Sequence, residues 1–359
     1  ANRAFAAELE TRFTPVWKSA VVHGLTLFHD PASPRDLLLV DRFSEGLHLP
    51  AGGGVGHARK TGADLAARLV RQGRVQSCWI HCSDADVRLP ESYFTCSAGL
   101  DESATRDTAA LVYPFRHVST ADETDGKVAQ ATRLYEFSLD YYVAGLSYAG
   151  SPYAFHTVGS TLAVNALHYA RVRGFPRREA GEDFYLLNKL AKVGSVRQLG
   201  EGPACEAIEI DARVSDRVPF GTGAAVGRIV TMTDPAREFR LYHPAVFDLL
   251  RSWLSSVPDF REARSSDVGD ILSAPDQNVL AGALKEIGVG KALQHALRQS
   301  SDAAQFERQL HTWFDAFRTL KLIHHLRDHH LPSVRFEDLG TRHNIDHLEP
   351  FLSSIIEPR

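Results

Sequence analysis

The chain has 359 residues, 44% hydrophobic and 23% charged, which suits one large domain or two ordinary ones and excludes disordered, collagen-like and low-complexity classes. Its 40 Lys and Arg against 44 Asp and Glu leave a formal charge of −4, so no global basic excess draws it onto nucleic acid or an anionic membrane. No stretch approaches the roughly 18 apolar residues of a membrane span, and the first residues lack a signal-peptide core, so no transmembrane segment and a cytoplasmic location are expected. Cys78, Cys82, Cys96 and Cys205 form no Cys-x-x-Cys pair and are too few for a disulfide scaffold, so reduced thiols are expected. The only methionine is Met232 and the chain opens on Ala1, so either an initiator was removed or residues lie upstream.

In chain order, Leu25–Phe28 and Leu37–Val40 read as strands, each with an acidic residue near its C-terminal end, and Ala58–Val70 carries apolar residues at helical spacing. Ser77–Ser83 is a buried-strand pattern running into Asp84-Ala-Asp86. Ala109–Phe115 is another strand and Gly126–Tyr148 a long helix; Ile208, Ile210, Ala212 and Val214 alternate as in a half-exposed strand. This alternation of strands and helices predicts a layered α/β domain. Beyond about Thr233 no strand is expected, and Pro244–Val257, Asp276–Gln299 and Ser301–Leu331 read as helices, the last stopped by Pro332. The expected division is therefore residues 1–233 and a helical region, 234–359.

Asp84 and Asp86 follow a buried strand, where alternation would send both carboxylates to one side. Two hard oxygen donors at the carboxyl edge of a sheet suit Mg²⁺ or Mn²⁺ bound to a diphosphate, although a solvated acidic turn has the same spelling. Further on come Gly174-Phe-Pro176, then Gly181-Glu-Asp-Phe-Tyr-Leu-Leu-Asn-Lys-Leu190. Glu182 and Asp183 suit the positive end of a helix dipole, and at an exposed helix start neutralising Asp183 would cost well under ~1 kcal/mol.

The order of strand, Asp-x-Asp, Gly-Phe-Pro, Gly-Glu-Asp and amphipathic helix, over roughly Gly54–Ser215, resembles the GT-A glycosyltransferases, especially the inverting family 2 group. Gly56-His-Ala-Arg-Lys-Thr-Gly62 resembles the family's Gly, Ala-Arg-Asn, Gly segment, with Lys60 in place of the Asn. The resemblance implies a GT-A, Rossmann-like sheet domain and a nucleoside-diphosphate sugar donor. It makes Asp84 and Asp86 donor and metal ligands, Asp183 the general base on the acceptor hydroxyl, and Glu182 its neighbour shaping the acceptor site. It places His156, Gly159, Ser160 and Thr161 along the pocket for a small-molecule or glycan acceptor. Arg59 and Lys60, at the head of a helix, would add positive charge at the phosphates. Arg213 and Arg217 are candidate charge partners around the Ser215–Gly223 loop, and His243 is the nearest candidate for a third metal ligand.

The family's usual opening strand with a Pro-x-Tyr-Asn-Glu-like sequence has no counterpart before Leu25, as an absent first βα unit or divergence would leave it. No Gln/Arg-x-x-Arg-Trp motif follows the base, which favours a non-processive transferase. Two other readings compete. One is a non-catalytic nucleotide- or carbohydrate-binding protein on the same scaffold. The other is a His-rich metal-binding protein using the i,i+4 pairs His325/His329 and His343/His347, neither of which encloses a His-Glu-x-x-His glutamate.

Overall fold

The computed structural model describes residues 2–20, 23–32, 35–50, 52, 54–118, 126–215, 221–272 and 277–339. The chain opens with α1 (Asn2–Arg12) and the strands β1 (Thr14–Lys18), β2 (Leu25–His29) and β3 (Asp36–Val40). The two expected strands are present, but they form their own antiparallel sheet, β1-β2-β3, rather than joining a layered one. A short connection permits only antiparallel neighbours. The acidic residues after these strands shape turns: Asp30 accepts the amide of Ala32 at 2.9 Å, and Asp41 accepts those of Phe43 and Ser44 at 2.9 and 3.0 Å.

The central part runs α2 (Gly54–Arg71), β4 (Trp79–Cys82), β5 (Val87–Arg88), α3 (Glu102–Asp107), β6 (Thr108–Val112), β7 (Phe115–Val118) and α4 (Gly126–Tyr148). It continues through β8 (Leu162–Asn165), α5 (Ala166–Arg171), α6 (Glu182–Leu190), β9 (Ser195–Gln198) and β10 (Ile208–Asp211). Four of these strands form a mixed sheet, β4-β8-β6-β9, in which β8 is antiparallel to both neighbours and β6 and β9 are parallel. Alternate residues divide between its faces. Ile80, Cys82, Ala110, Val112, Leu162 and Val164 pack with Leu186, Leu187 and Leu190 of α6, while Trp79, Leu111 and Ala163 pack with Tyr93, Tyr113 and Ile208. A smaller sheet, β5-β10-β7, stands beside it.

Two of the four cysteines depart from the reduced-thiol expectation. Cys96, in a short 3-10 turn, forms a disulfide with Cys205, ahead of β10, while Cys78 and Cys82 are free. Spacing gave no warning because 109 residues separate the pair.

The remaining elements are α7 (Thr222–Val230), α8 (Pro235–Glu238), β11 (Arg240–Leu241), α9 (Ala245–Glu262), α10 (Val268–Ile271), α11 (Asn278–Glu286), α12 (Val289–Gln299), α13 (Ala303–Trp313), α14 (Ala316–His329) and β12 (Val334–Arg335). The region is helical as expected, apart from the two-residue strands β11 and β12, which pair antiparallel. Both long expected helices are split. Gly288, at φ 82°, separates α11 from α12, and Asp315 starts α14 by accepting the amide of Arg318. The boundary near residue 233 is crossed by packing: Phe137, Tyr141 and Leu146 of α4 belong to the same core as Phe247, Trp253, Phe306 and Leu326. Asp315 also ties this region to α6, accepting from Asn188 at 3.2 Å and pairing with Lys192 at 2.6 Å. Among the described residues no helix is long and apolar enough to cross a membrane.

Candidate functional site

Arg59 is the hub of the site. It lies in the second turn of α2, whose start is pressed against residues 176–178: the Gly56 amide donates to the Arg178 carbonyl at 3.0 Å, and a Cβ on Gly56 would stand 2.5 Å from the Pro176 carbonyl oxygen. Only glycine permits that approach. From there the Arg59 side chain, 10% exposed, donates through Nε to Glu182 Oε1 at 2.8 Å and through Nη2 to Asp84 Oδ1 at 2.6 Å. Three segments distant in sequence are thereby joined: the start of α2, the end of β4 and the start of α6.

Asp183 completes this group. A Cβ on Gly159 would lie 2.9 Å from Arg59 Nη2 and 3.2 Å from Asp183 Oδ2, so Gly159, Arg59 and Asp183 share one small space. Asp183 is half-buried rather than exposed at a helix start, and its Oδ1 accepts the Phe184 amide at 2.7 Å. Burial and then the adjacent Glu182 charge raise its carboxyl from 3.8 to about 6, against the opposing pull of the Phe184 amide and Arg59. Burial works against the Arg59 charge as well, but Asp84 and Glu182 outweigh it and raise the guanidinium's pKa. Tyr135 of α4, whose phenol burial also shifts upward, lies within electrostatic reach of Asp183; no local motif singled it out.

Asp84-Ala-Asp86 occupies the link where the chain leaves β4 for β5. Its carboxylates do not act as a pair here. Asp84 meets Arg59, while Asp86 meets Arg213, just beyond β10. Both remain accessible, with side chains 44% and 38% exposed. As hard, exposed oxygen donors they fit Mg²⁺ or Mn²⁺ held by one or two carboxylates and completed by substrate phosphates and water. Among the described residues, no group of three His, Cys, Asp or Glu side chains gathers as a fuller protein cage.

Several expected site residues lie elsewhere. Lys60 is one helical step from Arg59, about 100° around the axis, and its ammonium meets Asp64 at 3.1 Å and the Arg173 carbonyl at 3.0 Å instead of the Asp-x-Asp link. Ser160 and Thr161 are 4% and 0% exposed, and the Thr161 hydroxyl donates to the Val158 carbonyl, so their side chains build the turn rather than an open pocket. His156 has both ring nitrogens engaged, Nδ1 with Gln198 at 3.0 Å and Nε2 with Asp140 at 3.0 Å, and so anchors that turn. His243 lies before α9, its Nδ1 accepting the Ala245 amide, and lines a cleft with Arg240, His330 and Arg335 that includes neither Asp84 nor Asp86. In the His-rich helix, the His325 and His329 rings are 4.6 Å apart; Arg217, His343 and His347 lie outside the described residues.

No protein-family model, curated protein or solved structure matches this chain.

Proposed function

We propose that the chain is a non-processive glycosyltransferase on a GT-A-type sheet domain, moving a sugar from a nucleoside-diphosphate donor to an acceptor hydroxyl with Mn²⁺ or Mg²⁺. The observation that carries this reading is Asp183: a half-buried carboxyl raised to about 6, beside Gly159 and Arg59, and linked through Arg59 to the exposed Asp84. A base of that strength is mostly ionised at neutral pH yet binds a proton more readily than an ordinary aspartate, which matches proton removal from a hydroxyl. In the reaction, the acceptor oxygen attacks the anomeric carbon as its proton passes to Asp183. The bond from that carbon to the diphosphate oxygen breaks, and the diphosphate departs with the electron pair.

A divalent ion held by Asp84 and Asp86 would offset the charge growing on the diphosphate. Arg59 and Arg213, already beside these carboxylates, add fixed positive charge to the same region. Glu182, with a side chain only 5% exposed and paired to Arg59, holds the guanidinium and sharpens the basicity of Asp183 through its own charge. The test is calorimetry with a panel of nucleoside diphosphates, with and without Mn²⁺, followed by donor turnover. Asp86→Ala should abolish the metal-dependent part of binding with the fold intact, and Asp183→Asn should retain donor binding but lose on the order of 10²-fold or more in turnover. Unchanged Mn²⁺-dependent affinity in the first variant, or near-normal turnover in the second, would overturn the assignment.

A further inference from the structure

Away from this site, His325 and His329 stand one turn apart at the end of α14, with ring centres separated by 4.6 Å. Side chains four residues apart share one face of a helix, so the backbone itself sets this spacing and no distant segment is needed to hold it. Two imidazoles that bind one ion, each through a ring nitrogen at about 2.0–2.1 Å, have centres roughly 4.5–5.5 Å apart when the ligand angle is near 90–110°. The pair therefore already has the separation of a chelate. His325 is half-buried and His329 exposed, and among the described residues neither ring has a hydrogen-bond partner that would occupy its nitrogens.

The surroundings tolerate a cation. The C-terminal end of a helix carries partial negative charge, and His329 is the last residue of α14. Arg327, between the two histidines in sequence, is engaged by Asp328 at 2.7 and 3.1 Å, which compensates its charge at short range. Lys321, one turn before His325, is exposed, and its flexible stem lets the ammonium stay in water. The His330 ring stands farther off, 6.0 and 6.3 Å from the other two, and among the described residues no set of three His, Cys, Asp or Glu side chains forms around the pair.

We propose that His325 and His329 chelate a divalent transition ion of the copper, nickel and zinc class, with water in the remaining positions. Imidazole donors rank Cu²⁺ above Ni²⁺ and Zn²⁺ and leave Mg²⁺ and Mn²⁺ to oxygen ligands. The proposal is independent of the glycosyl-transfer reading, because its donors are imidazoles at the end of α14, whereas Asp84 and Asp86 offer carboxylate oxygens beyond β4.

The experiment is titration calorimetry of the full chain with Cu²⁺, Zn²⁺ and Mn²⁺ as separate probes, in a His343→Ala, His347→Ala background that removes the other pair of the same spacing. Cu²⁺ should bind with a dissociation constant below about 10 μM, and Zn²⁺ more weakly. His325→Ala and His329→Ala should each weaken Cu²⁺ binding about tenfold or more, and His330→Ala less than about threefold. Electron paramagnetic resonance of the Cu²⁺ complex should show coupling to two imidazole nitrogens, and to one in either of the first two variants. Saturating Cu²⁺ should raise the unfolding temperature of the background protein but not that of His329→Ala, because the chelate exists only on the folded helix. Cu²⁺ affinity unchanged by both His325→Ala and His329→Ala, a tenfold loss in His330→Ala, or displacement of Cu²⁺ by an equal concentration of Mn²⁺ would overturn the proposal.

Discussion

Replacing Asp183 by Asn should stabilise the folded protein at neutral and alkaline pH even as it removes the proposed base. The carboxyl stands at about 6 instead of 3.8, chiefly because of burial and secondly because of Glu182. At about 1.4 kcal/mol for each decade of acidity, that rise makes ionisation cost the fold on the order of 3 kcal/mol. The folded state therefore holds this proton more tightly than the unfolded one. Stability from this group is fully present below about pH 4 and is lost as the pH climbs through about 6. Asn stays neutral, keeps nearly the same shape and retains a side-chain oxygen to accept the Phe184 amide. The variant should thus be roughly 2 to 3 kcal/mol more stable than the parent at pH 8 and indistinguishable from it near pH 4. Urea unfolding of both proteins across this range measures the difference, and titrating groups that do not interact with Asp183 cancel in the comparison. A variant less stable at pH 8, or a gain that does not shrink toward pH 4, would refute a buried, uncomfortably ionised Asp183. Once donor and acceptor are in hand, parent turnover should rise with pH through about 6, as the base loses its proton.

Arg59→Gln would strand Glu182, whose side chain is 5% exposed, as an unpaired buried carboxylate; a loss of about 3 to 5 kcal/mol is expected. Adding Glu182→Gln should recover much of it in a double-mutant cycle. Gly159→Ala would push a methyl to 2.9 Å from Arg59 Nη2 and 3.2 Å from Asp183 Oδ2. Unfolding should show a loss of about 1 to 3 kcal/mol, and kinetics a turnover defect larger than any change in donor affinity. Thiol titration of the unfolded protein should find two groups without reductant, Cys78 and Cys82, and four after reduction. Cys205→Ser should cost about 2 to 4 kcal/mol in stability.

Local patterns carried much of the fold. The buried run Ser77–Ser83, the long helix Gly126–Tyr148, the amphipathic helix behind Gly181 and the helical character after residue 233 were all legible, because burial periodicity is written into neighbouring residues. The motif order and the family resemblance it carries, not periodicity, singled out Arg59, Asp84, Glu182 and Asp183 as candidate site residues, and the structure brings these four together with Gly159. Pairing and direction were not legible. Leu25–Phe28 and Leu37–Val40 are recognisable strands, yet nothing within them says that they join β1 rather than the larger sheet. Lys60 and His243 have side chains suited to the expected roles, but helical rotation turns the first onto Asp64, and the second lies at the C-terminal cleft. The Cys96–Cys205 bond and the opposed Arg240 and Arg335 are long-range encounters of the same kind. Sequence determines which groups exist and the local element that carries each. Which of them share a space, and so shift one another's charge, is decided only when distant segments are packed against each other, since Coulombic and burial effects depend on separation in space and not along the chain.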